Sequence, residues 1–163
     1  MLKNTLFGLA VLTFFACQNA PLTPGDASHP PVYAKSDLQK LGWIRGTWKS
    51  EVSGTGYYQT FHFPSDSVLE IVSYQFNGKD TSGTTAASVY WKNDHLYMGP
   101  NGEWVAVLLD QGKFQLDPIH SGWHSISWTK NSADQWTFEQ QKTDFKRTIT
   151  MKRQPELSTL LQQ

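Results

Sequence analysis

The chain has a single cysteine, Cys17, among its 163 residues, so no disulfide can form within it. Charge of one sign is missing too, since 14 basic residues balance 14 acidic ones. That removes the electrostatic footprint expected of a nucleic-acid binder. No apolar run approaches the roughly 20 residues that a membrane-spanning helix needs. Catalytic signatures are also lacking. There is no Gly-x-Ser-x-Gly elbow, no His-Glu-x-x-His pair and no phosphate-cradling glycine loop. Most aspartates fall in turns, where they serve backbone geometry, and nothing requires an enzyme. What the chain does have is tryptophan, seven in all. That number suits a wide apolar interior or a surface that grips rings and chains.

Lys3 and the run Leu6–Ala16 have the polarity and length of a signal peptide's apolar region, too short to span a bilayer. The run closes on Phe14-Phe15-Ala16-Cys17, which resembles the lipobox of bacterial lipoproteins, with Phe14 where leucine is usual. The resemblance implies a signal peptide over residues 1–16 and a diacylated Cys17, an anchor needing no transmembrane helix. The alternative is an ordinary secreted protein with an incidental cysteine. Gln18, rather than Asp, follows the cysteine; by resemblance to enterobacterial sorting this implies the outer membrane, with the protein facing the periplasm or the cell surface. Residues 17–35 hold four prolines and no apolar period, which predicts an extended spacer. At about 3 Å per residue it would reach on the order of 50 Å.

Ser36-Asp37 before Leu38, Leu41 and Ile44 predicts an N-cap and one or two turns of helix. Beyond Gly46 the period becomes two. Tyr57, Gln59, Phe61 and Phe63 alternate with Tyr58, Thr60 and His62, and Phe145, Arg147, Ile149 and Met151 with Lys146, Thr148, Thr150 and Lys152. Turn chemistry rich in Asn, Asp and Gly recurs about every ten residues, as at Asn77-Gly78, Lys92-Asn93-Asp94 and Asp110-Gln111-Gly112. The expectation is an all-β domain over residues 36–153: an up-and-down antiparallel β-barrel of eight to ten strands, its short N-terminal helix closing one end. An open sandwich is the alternative. Residues 154–163 form a tail with Leu157, Leu160 and Leu161 at helical spacing.

Gly46-Thr47-Trp48, just after the short helix, resembles the Gly-x-Trp signature of the calycins, the lipocalins and fatty-acid-binding proteins. The stretch from Trp43 to Thr81 is also similar to uncharacterised lipocalin-like domains of exported Bacteroidetes-type proteins. The resemblance implies that Trp48 plugs the closed end and that a last-strand arginine, Arg147 or Arg153, lies across it. It further implies non-catalytic binding of a small hydrophobic or amphipathic molecule, and the candidate inward-facing aromatics to line its cavity are Phe61, Tyr74, Trp104, Trp123 and Trp136. Glu70 and Arg147 sit on otherwise apolar faces. If those faces point inward each charge needs a partner: they pair with each other, Arg147 caps Trp48, or Arg147 receives the polar end of a ligand. No metal is expected. His120 or His124 as a haem ligand is the nitrobindin-like alternative. The protein is expected to be a monomer; a further reading is an envelope interaction module with a solid core, using an outer face that carries His62, Trp91 and Trp128.

Overall fold

The computed structural model describes residues 27–50 and 56–154. The expected signal peptide, Cys17, the first part of the expected spacer, residues 51–55 and the expected tail beyond Gln154 lie outside the described residues. A 3-10 helix over Lys35–Ile44 opens the domain. Its apolar residues Leu38, Leu41 and Ile44 fall three apart, so a helix of three residues per turn eclipses them on one face, and all three are fully buried. The Asp37 carboxylate, rather than a residue before the helix, satisfies the Ala34 N–H at 2.8 Å. A hydrogen bond from Lys40 holds that carboxylate below its ordinary pKa.

Ten strands follow: β1 (Gly46–Ser50), β2 (Gly56–Ser65), β3 (Val68–Phe76), β4 (Thr81–Lys92), β5 (His95–Met98), β6 (Trp104–Leu109), β7 (Lys113–Pro118), β8 (Ser125–Lys130), β9 (Gln135–Lys142) and β10 (Phe145–Arg153). Each is antiparallel to its neighbour in sequence, and β1 also pairs with β10, matching Trp48 to Arg153 and Ser50 to Met151. The sheet therefore closes, and along most of its strands both edges are paired. Gly46 leads from helix to β1 at φ 109°, a backbone angle that a side chain would strain. Asn93 and Asp94, at φ 49° and 62°, turn β4 into β5. Positive φ at both central residues suits the right-handed twist of a two-residue hairpin.

The lower half of the interior, next to the helix, is filled by rings. Trp136 makes edge contacts with Trp48, Phe61 and Trp43 at centroid distances of 6.2, 5.7 and 6.4 Å, and lies 6.0 Å from Trp128. Phe114 adds a further ring against Trp128 at 5.1 Å.

The end of the expected spacer is not loose. Tyr33 is buried, its N–H donates to Asp94 O at 2.8 Å, and its own carbonyl accepts the Trp91 indole N–H at 2.8 Å. His95 Nδ1 lies 3.0 Å from Pro31 O, and Lys35 pairs with Asp66 at 2.7 Å. Proline content predicts extension, but an extended segment can still strap onto a hairpin that offers it partners. Burial, reinforced by the Asp37 charge, pushes the Tyr33 phenol up from 10.0 to about 12. A raised phenol stays neutral in the fold after the unfolded one ionises, so its contribution is complete below pH 10 and lost between pH 10 and about 12. Urea unfolding at stepped pH should show stability falling more steeply across that window in the wild type than in Tyr33→Phe.

Candidate functional site

Register carries side-chain parity round the barrel. Trp48, Phe61, Ile71, Val89, Ala106, Leu116, Ile126, Ile149 and Met151 all belong to one buried cluster, so residues two positions along the same regular strand face the same interior. Going up β10 from Met151 and Ile149, the next inward position is Arg147, and beside it on β9 is Gln140. On β2 the position above Phe61 is Gln59, paired with Ser73 of β3, which in turn pairs with Thr85 of β4. Gln59 Nε2 donates to Ser73 Oγ at 3.1 Å and lies 3.4 Å from the Tyr57 hydroxyl. The interior thus changes character with height, from packed rings below to amides, hydroxyls and a guanidinium above.

The upper positions are also open. Thr85, Ala87 and Arg147 are exposed although their parity is inward. The short strand β5 explains this in part. Its pairing with β4 begins at Val89, so the upper half of β4 is bonded to β3 alone. Arg147 makes no hydrogen bond or ion pair among the described residues. The rim from β6 round to the β9–β10 hairpin is aromatic. Trp104 and Trp123 lie 4.8 Å apart, the Trp104 indole N–H donates to His124 O at 2.9 Å, and His124 packs edge-on to Phe145 at 4.7 Å. Trp123 is 46% exposed and Phe145 42%. Lys142 Nζ reaches Gly122 O at 2.8 Å and ties this loop to the β9–β10 hairpin.

The residues singled out from sequence therefore scatter. Arg147 stands in the mouth, with Trp104 and Trp123 on its rim. Phe61 and Trp136 lie in the solid core, 1% and 0% exposed, where there is no room for a guest. Glu70 does not face inward. Leu69 and Ile71 take the core face of β3, and Glu70 points out to pair with His62 at 3.0 Å. Arg147 is thus neither its partner nor the cover of Trp48. Tyr74 lies outside the core cluster, stacked on Tyr58 at 5.6 Å. Trp91 and Trp128, expected on the outer face, pack into the core, while His62 does lie outside. His120 is exposed in the turn between β7 and β8.

Arg153 covers the plug. Its guanidinium sits 4.1 Å over the Trp48 ring and donates to Arg45 O at 2.9 Å and Trp43 O at 3.2 Å. The Trp48 indole N–H donates to Ile44 O, so first strand, last strand and helix meet at this one ring pair. Gln59 and Gln140 escaped the sequence reading. Their only signal was a polar residue recurring at an otherwise apolar parity.

Among the described residues no group of three or more His, Cys, Asp or Glu side chains could hold a metal, and no helix is long and apolar enough to cross a membrane. No family model and no curated protein matches the chain. Solved structures similar to it include a redesigned β-barrel, at 15% identity and a TM-score of 0.34, over 76% of this chain and 99% of that one. Another is EF1p2_mFAP2b bound to DFHBI, at 15% identity and 0.35, over 73% and 100%.

Proposed function

We propose that the barrel binds a small amphipathic molecule at its open mouth, without catalysis. Its apolar part would lie against Trp104, Trp123 and Phe145, and its polar end would meet Arg147, Gln140 and Gln59. The observation that carries this reading is Arg147 itself, an inward guanidinium with no hydrogen-bond or ion-pair partner among the described residues, above a sealed apolar floor. A site with one uncompensated cation and an aromatic wall favours a ligand that is anionic at one end and apolar at the other. The lipobox-like sequence around Cys17 supports display of this domain on the cell envelope, on an acyl anchor and a short tether.

The test is mass spectrometry of small molecules extracted from the protein purified without detergent from its own host. The wild type should carry a species that Arg147→Ala and Trp123→Ala both lose, while far-ultraviolet circular dichroism stays unchanged. Equal content in all three proteins would sink the reading. The solid lower core favours a second one, an envelope interaction module, in which no species co-purifies and the outer face binds another protein.

A further inference from the structure

The outside of a closed barrel is ordinarily convex, yet here it carries a cavity of about 630 Å³. Its lining includes Thr47 of β1, Thr60 of β2, Val72 and Tyr74 of β3, with Arg45 and Phe63 at the lower end. Thr60 is the cross-strand partner of both Thr47 and Val72, and each of the three is one residue out of phase with the core residues Trp48, Phe61 and Ile71. The cavity therefore lies on the outer face, separated from the mouth by the sheet itself.

Two irregularities make that face concave. Near the top, Gly83 and Thr84 of β4 together oppose the single residue Tyr74, with Gly83 at φ 61°. Near the bottom, Phe63 and Pro64 of β2 oppose Leu69 alone. An extra residue bends its strand and increases the local twist, and such bulges are common beside binding sites. Pro64 is tolerated because a bulge leaves its missing N–H unneeded.

The lining has a direction. Thr47 Oγ1 lies 3.0 Å from Thr60 Oγ1, which lies 3.4 Å from the Tyr74 hydroxyl. Thr47 is fully buried, so of these hydroxyls those of Thr60 and Tyr74 are left to meet a guest. Below them the Arg45 guanidinium stacks 5.1 Å over Phe63 and has no carboxylate partner among the described residues. His62, also in the lining, is paired to Glu70, and among the described residues no acidic side chain lines the cavity. Val72, Phe63 and the Tyr74 ring supply apolar wall. The volume falls within the range of about 300–1,000 Å³ usual for small-molecule sites.

We propose that this outer cavity is a second binding site, for a compact amphipathic carboxylate. The acid group sits on Arg45, its apolar body lies against Val72 and Phe63, and a polar substituent meets the Thr60–Tyr74 hydroxyls. The probe is naphthoate, with neutral naphthamide as the control, titrated into the isotope-labelled full chain and followed by amide chemical shifts. Naphthoate should shift Thr47, Thr60, Val72 and Thr84 saturably. Arg45→Gln, at an exposed side chain, should weaken that titration about tenfold while leaving naphthamide unaffected, since a charge-assisted bidentate contact is worth at least that factor. Arg147→Ala should remove only shifts at mouth residues such as Gln59 and Gln140, leaving those at Thr47, Thr60, Val72 and Thr84 as they are. Shifts confined to mouth residues such as Gln59 and Gln140, or an Arg45→Gln titration equal to the wild type, would overturn the proposal.

Discussion

Trp136→Ala is expected to lower stability by about 3–5 kcal/mol, the range typical of deleting a large buried aromatic. Trp136 is fully buried and touches four other rings, so the cavity left behind cannot close without moving the helix, β1 and β8 together. For a domain whose whole stability is of order 5–15 kcal/mol, that loss moves the urea midpoint far down or unfolds the protein. Trp136→Phe should cost much less. The indole N–H has no hydrogen-bond partner among the described residues, so phenylalanine forfeits volume and no hydrogen bond. Equilibrium unfolding of both variants checks the pair. A small loss in Trp136→Ala would mean that the lower interior is not the packed layer described.

Arg153→Ala follows, at about 2–4 kcal/mol, from a cation–π contact worth about 0.5–2 and charge-assisted bonds to carbonyls that are then left without it. The side chain is 28% exposed, so solvent screens the site only in part. Its pairing with Asp134, at 3.5 Å and on a largely exposed carboxylate, adds little. Arg153→Lys should recover less than half. An ammonium cannot span Trp43 O and Arg45 O while lying flat on Trp48. By contrast Arg147→Ala should leave stability within about 0.5 kcal/mol, as for an exposed side chain with no partner among the described residues. Thermal and urea unfolding of the three variants would distinguish the arginine that closes the barrel from the one that stands in its mouth. Equal losses at Arg147 and Arg153 would refute the assignment.

The turns and the period-two runs were legible because each is enforced locally. Asn93 and Asp94 tolerate positive φ, Gly46 has no Cβ to clash, and Leu38, Leu41 and Ile44 need only a three-residue turn to align. Which face of a strand is inward was much less so. On β3 both parities are apolar, Val68, Val72 and Tyr74 on one and Leu69 and Ile71 on the other, and hydropathy cannot choose between them. On β8 the parities are distinct, Ile126 and Trp128 against Ser125 and Ser127, and it was Trp123, in the loop before the strand, that set the wrong phase. The candidate site suffered most. Arg147 was readable as a charge on an apolar face, while Glu70, equally readable, sits on the other side of the sheet in a pair with His62.

The sequence by itself determined an all-β chain with its turns in place, a helix before the first strand and an arginine available to meet Trp48. Those features depend on sterics and periodicity within a few residues. Only the tertiary structure decided which arginine meets that ring, which half of the interior is solid, and that the outer wall is hollowed. Each of these depends on register passed across ten strand pairings and reset wherever a bulge inserts a residue, and one shifted residue exchanges inside for outside.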